Sequence, residues 1–174
     1  MPASPDRTSK PFIITRTFEA PRALVFAAFT QAEHLMKWMG PAGMEMFHCA
    51  VDLRPGGVFH YGLRPVTGGA AMWGKWTFRE IVAPERIVVV VNFSDEAGGV
   101  TRHPMAPDWP LSTLSTTTLS DLPGGKTLLT LHWQALNPTE AEERLFDGAH
   151  AGMEQGWGGT MKQLDAHLAQ AQIG

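Results

Sequence analysis

Apolar residues recur along this chain at two different periods, and the change of period divides it. Residues 12–19, FIITRTFE, alternate moderately and predict a first strand. Pro21 suits the first turn of a helix, and Leu24, Val25, Phe26, Ala28 and Phe29 give that helix its apolar residues. Residues 31–38 predict a second short helix, stopped by Gly40-Pro41. From Met44 the period is two. Residues 44–53 place Met46, His48, Ala50 and Asp52 on one face and Phe47, Cys49, Val51 and Leu53 on the other. Further strands are predicted at 58–64, 72–82, 86–94, 111–122 and 126–135. Pro55-Gly56-Gly57, Ala83-Pro84-Glu85 and Pro123-Gly124-Gly125 mark turns, and residues 67–71 form a glycine-bearing link. Such short turns make these strands antiparallel neighbours.

The period then returns to that of a helix. Phe146, Ala149, Met153, Trp157, Thr160, Leu164 and Leu168 share one face of a helix predicted over 139–171, and Thr139 with Glu142 forms a capping box at its start. Within it Gly148, Gly152, Gly156 and Gly159 recur along one flank of the apolar stripe, with Gly158 beside them. Each costs about 0.8–1 kcal/mol against alanine in a helix interior. Two explanations stand open: a strand, loop or ligand lies close against a flank without side chains, or residues 156–159 bend the helix.

Together these elements predict an α+β fold. A curved antiparallel sheet of about seven strands wraps on the long C-terminal helix, with two short helices between strands 1 and 2. Residues 1–11 read as a flexible lead and 12–174 as one domain. No other element is long enough to cover the sheet, and a curved sheet round one helix seldom closes tightly, so a cavity between them is expected. Residues 95–110, DEAGGVTRHPMAPDWP, have no periodicity and hold His103, Met105 and Trp109. They read as a flap over a cavity mouth or as a loop that folds back to bury Trp109.

Composition narrows the choices. The chain has 174 residues, 44% hydrophobic and 18% charged, with net charge −3, which fits a globular domain and argues against a nucleic-acid groove. Its apolar runs are too short for a membrane span, and MPASPDRTSK has no apolar leader region. One cysteine, Cys49, excludes an internal disulfide and a cysteine metal cluster, and a reducing cytoplasm is the simplest location. Six tryptophans and nine methionines are many for this length; both residue types fill large irregular spaces and adapt to ligands.

Candidate chemistry is sparse. The seven histidines show no metal-ligand spacing, and no metal or cofactor is expected. His48 and His60 face each other across a hairpin or simply face solvent. Cys49 lies mid-strand among apolar residues, where a thiol is inert. Trp76 and Phe78 share a strand face, Trp133 shares one with Leu131, and Trp157 and Met153 look from the helix toward the sheet. Trp76, Trp133, Met153 and Trp157 are the candidate walls of a binding cavity, with Phe78 a further ligand-contact candidate, His103 and Trp109 at the mouth and Tyr61 or His60 for polar contact; a fully packed core is the alternative.

Several motifs in order resemble a known family: Ile14…Phe18-Glu19-Ala20-Pro21 with Val25-Phe26-Ala27-Ala28-Phe29-Thr30, Asp52-Leu53-Arg54-Pro55-Gly56-Gly57, residues 74–80 with Pro84-Glu85-Arg86-Ile87, and Gln155-Gly156-Trp157 with Leu164. They resemble the START-like, birch-pollen-allergen-like helix-grip superfamily, and within it the bacterial branch named after the activator of the heat-shock-protein-90 ATPase. The loop Gly98-Gly99-Val100-Thr101-Arg102-His103-Pro104-Met105-Ala106-Pro107 with Trp109-Pro110 is similar to one subgroup of that branch. The resemblance implies a helix-grip fold with an internal pocket and supplies no universal catalytic residue. The function expected is non-enzymatic binding of a small hydrophobic or aromatic ligand between sheet and helix. The alternatives are a protein–protein regulator or co-chaperone, and a cyclase- or hydrolase-type enzyme using the same pocket. A monomer or homodimer is expected.

Overall fold

The computed structural model describes residues 5–173. Strand β1 (Phe12–Phe18) leads into helices α1 (Arg22–Thr30) and α2 (Ala32–Trp38). A meander follows: β2 (Met44–Val51), β3 (Val58–Pro65), β4 (Met72–Val82), β5 (Arg86–Ser94), the short β6 (Val100–Thr101), β7 (Thr113–Leu122) and β8 (Lys126–Ala135). Helices α3 (Glu140–Gly148) and α4 (His150–Ile173) complete the chain. All pairings are antiparallel, in the order β1-β8-β7-β5-β4-β3-β2, with β6 paired to β5. The expected α+β architecture, a curved sheet on a C-terminal helix with two short helices after β1, is the one observed.

The apolar alternation explains the core. Phe59 on β3, Phe78 on β4, Ile87 and Val89 on β5, Leu119 on β7 and Leu129 and Leu131 on β8 all turn to one face of the sheet and are buried there. Against them α4 packs Met161, Leu164 and Leu168, and α1 packs Val25 and Phe29. The Trp38 indole N–H donates to the Ala28 carbonyl at 2.8 Å, which satisfies the polar atom of the largest buried ring and ties α2 to α1.

Three details depart from the periodic reading. The C-terminal helix is not continuous. Ala149 sits at φ −93°, ψ −2°, and its N–H bonds back to Phe146 at 3.1 Å. That is a three-residue step that tightens the turn before Met153 N–H resumes the ordinary ladder on Ala149. The break therefore falls after Gly148, not at 156–159. On β2, the pairing shifts between Met46 and His48, so Phe47 is a bulge. Met46 is buried, whereas Phe47 and His48 both contact Trp73 on the outer face. Strand β6, inside the 95–110 connection, is the third departure.

Part of the expected N-terminal lead, residues 1–4, lies outside the described residues. Beyond it, Thr8 bridges to Leu136, Ser9 N–H bonds to the Ala135 carbonyl at 3.1 Å, and Arg7 pairs with Glu143.

Candidate functional site

Sheet and helix do not meet along their whole length. Between them lie two adjoining chambers, an inner one of about 330 Å³ and an outer one of about 730 Å³. Both are walled by Tyr61, Trp76, Phe93, Trp109, Trp133 and Trp157. The outer chamber runs on to Gly40-Pro41 after α2 and to the first half of α4.

Each wall has a local cause. Tyr61 pairs with Gly74 across β3 and β4, and a Cβ at Gly74 would lie 2.4 Å from the Tyr61 hydroxyl. Gly74 therefore lets the phenol lie across the neighbouring strand. Trp133 pairs with Ser115, and both share the inward face with Leu131 and Thr117. Trp157 meets Trp133 edge-on at 6.0 Å, and Trp109 tilts against Trp133 at 5.9 Å and Phe146 at 5.7 Å. Gly148, Gly152 and Gly156 line the outer chamber with Thr160, each four residues from the next, so bare backbone forms one wall. A Cβ at any of these glycines would meet nothing within 4 Å. The flank is open space, not a contact with a strand or loop.

The 95–110 connection contributes His103, Trp109 and Pro110 to the cavity wall and leaves Trp109 half-buried. It is tied down at several points. Lys75 donates to the Gly98 carbonyl at 2.9 Å, and Arg102 pairs with Glu142 at the start of α3. Glu142 also completes the capping box, accepting from Thr139 N–H at 3.0 Å while Thr139 Oγ1 accepts from Glu142 N–H at 3.2 Å. Burial pushes the Glu142 carboxyl up, but the Arg102 guanidinium and the backbone donors of Thr139 and Leu111 outweigh it and hold the group below its ordinary value. His103 tilts against Phe93 at 4.7 Å, and its Nδ1 accepts the Met105 N–H at 3.0 Å. Neutral His103 therefore carries its proton on Nε2.

The cavity wall carries no carboxylate, lysine or arginine among the described residues. Burial raises the Tyr61 hydroxyl to about 12, so it stays protonated, and raises the Cys49 thiol to about 11, so it is no nucleophile at neutral pH. Among the described residues no group of three or more His, Cys, Asp or Glu side chains could hold a metal ion.

Of the residues singled out from sequence, Trp76, Trp133, Met153, Trp157, His103, Trp109 and Tyr61 surround this cavity. Phe78 does not. It pairs with Val89 further along β4, where the core is closed, and is 1% exposed. His60 does not either, because its parity is opposite to that of Tyr61. It stacks on Trp73 at 5.2 Å on the outer face, beside His48 at 5.0 Å, and its Nε2 meets the Asp95 carbonyl at 3.1 Å. Sequence reasoning missed Phe93, Thr113 and Ser115. The signal was present for the last two: they share parity with Leu119, but polar residues in a strand read as solvent-facing.

The comparisons with other proteins agree with this architecture. The family described as Activator of Hsp90 ATPase homolog 1-like protein matches residues 19–169. No curated protein matches the chain. Among solved structures, a protein from Nitrosomonas europaea is similar at TM-score 0.73 and 23% identity, covering 94% of this chain and 97% of its own. A protein from Arthrobacter aurescens, solved by NMR, gives TM-score 0.73 at 25% identity, over 94% of this chain and 91% of that one. A third, from Silicibacter pomeroyi and itself named for the same family, gives TM-score 0.69 at 17% identity, over 93% and 99%. The chain belongs to the Activator of Hsp90 ATPase homolog 1-like family, on the START-like helix-grip fold.

Proposed function

We propose that the protein binds a small hydrophobic or aromatic ligand in the cavity between sheet and C-terminal helix, without turning it over. One observation carries this reading: the two chambers share a wall of six aromatic rings that holds no charged side chain. Burial of apolar ligand surface there contributes roughly 25 cal/mol per Å². Volumes of this size fit a small-molecule ligand. Turnover by a cyclase or hydrolase mechanism would want a positioned acid and base, and the wall offers His103 and a firmly protonated Tyr61. A single unpaired Cys49 fits a reducing cytoplasm.

Native mass spectrometry of freshly purified protein tests the reading, with a co-purifying small molecule as the expected result. For any ligand so identified, Trp157→Ala weakens binding at least tenfold and enlarges the cavity. Unchanged affinity would remove Trp157 from the wall.

A second reading, a regulator of a protein partner such as a chaperone, draws on the outer face of β2 to β4. There Phe47 is 37% exposed beside Trp73, His48 and His60. Pull-down from native lysate with Phe47→Ser as control tests it; identical recovery by both proteins counts against that face.

A further inference from the structure

The hydroxyls and ring N–H groups that line the inner chamber can all donate a hydrogen bond. Thr113 is 3% exposed and Trp76 9%, and both line the chamber. Among the described residues the sealed side-chain polar atom without a partner is His150 Nε2, so the Thr113 hydroxyl and the Trp76 indole N–H are not stranded in the core but open onto the chamber. The same holds for the hydroxyls of Tyr61 and Ser115. Trp38 is the contrast, because its indole in the closed core is satisfied at 2.8 Å. Asn92 also lines the chamber, with its amide NH2 engaged elsewhere. Its side chain has the parity opposite to Val91 and Phe93, and its amide donates to the Leu111 carbonyl at 2.8 Å and to Ser112 Oγ at 2.8 Å. His103, with Nδ1 taken by Met105, offers Nε2–H.

We propose that the inner chamber selects an uncharged, ring-bearing ligand that presents a hydrogen-bond acceptor, a carbonyl or ether oxygen, to the donors of Tyr61, Thr113, Ser115 and Trp76. The inference rests on the binding reading above and narrows it. A hydrocarbon entering the chamber would strip water from these donors and give nothing back, the expensive case for a buried polar group. A ligand donor would find hydroxyl lone pairs but nothing on the indole, which only donates. An anion would lose its hydration with no cation in the wall to replace it. A quaternary ammonium would be drawn to the ring faces but would meet donor hydrogens and no carboxylate. An acceptor on a flat ring satisfies both features at once: its faces stack on indoles and its oxygen meets the donors.

The test uses the intact protein and two probes of nearly the same shape, 9-fluorenone and fluorene, which differ by one carbonyl. Affinities are read by tryptophan quenching and calorimetry in matched cosolvent. The ketone is expected to bind about tenfold more tightly than the hydrocarbon. Tyr61→Phe and Thr113→Val, each removing a hydroxyl with little change of shape, should bring that ratio toward unity; if one variant fails to fold, the other decides. Equal affinity for both probes, or a ratio unmoved by either variant, overturns the acceptor inference and leaves the binding reading standing. Tighter binding of trimethylphenylammonium than of the ketone also overturns it. Failure of all three probes to bind overturns the binding reading itself.

Discussion

The two halves of α4 lie against the same sheet and treat it differently. In the second half, Met161, Leu164 and Leu168 are at most 2% exposed and interlock with Phe18, Leu129 and Leu131. In the first half, Gly152 and Gly156 face a void that an added Cβ would not begin to fill. The sheet offers bulk in both places. What differs is that in the first half glycines alternate with Met153 and Trp157, while the second half presents an unbroken set of buried apolar side chains. The cavity is therefore written into the spacing of small residues along one helix, while the other half of that helix supplies the packing that holds it in place.

The largest effect that can break this contrast is Leu164→Ala. With its side chain fully buried, we expect a loss of about 2–5 kcal/mol in urea unfolding. A loss under about 0.5 kcal/mol would show the closed half to be as loose as the open one. Next is Glu142→Gln, which weakens the capping box and the Arg102 tether together, at a cost of about 1 kcal/mol near neutral pH. The Glu142 carboxyl is held low in the folded state, so its contribution is present above its unfolded value and is lost as pH falls through the folded one. The difference between wild type and variant should therefore shrink as unfolding is repeated at increasingly acid pH. A difference that stays constant would mean the carboxylate charge is not involved.

Gly152→Ala sharpens the contrast from the other side. The methyl meets open space, so it should gain about 0.8–1 kcal/mol from helix propensity alone. Lower stability would mean that the apparent void is occupied by backbone motion or by a tight neighbour. The smallest effect concerns the far end of the closed half, where His34 Nδ1 and His167 Nε2 lie 2.7 Å apart between α2 and α4. One ring must accept, so double protonation breaks the bond. Burial, then the charges of His34 and Lys37, hold His167 below the ordinary histidine value. Its stabilising contribution is thus full above that value and declines as pH falls below it. Melting temperatures taken on either side should fall slightly more in wild type than in His167→Gln.

How much of this was legible depends on range. The strands could be read because alternation is local and because Pro-Gly-Gly turns at 55–57 and 123–125 mark their ends. The capping box at Thr139 and Glu142 was local too. The bulge at Phe47 was not legible, since one unpaired residue reverses every face assigned up to it while leaving the sequence pattern untouched. The break at Ala149 was equally hidden: Gly148 looks no different from Gly152, which the helix carries without interruption. Phe78 and Trp76 are two residues apart on one face, yet one is sealed and the other lines the chambers. Only the curvature of the sheet separates them. The Arg102 tether to Glu142 spans 40 residues, and no short-range signal points to it.

The displaced residue on β2 has one more consequence. That strand is a rim of the open sheet, with β3 on one side only. A straight rim of unpaired amides and carbonyls is a template on which another chain can zip. Here the ladder is interrupted between Met46 and His48, and the rim bends where a second strand would need it flat. Growth of the sheet from one molecule into the next is thereby disfavoured along that rim, so a second copy meeting it there would have to associate through side chains.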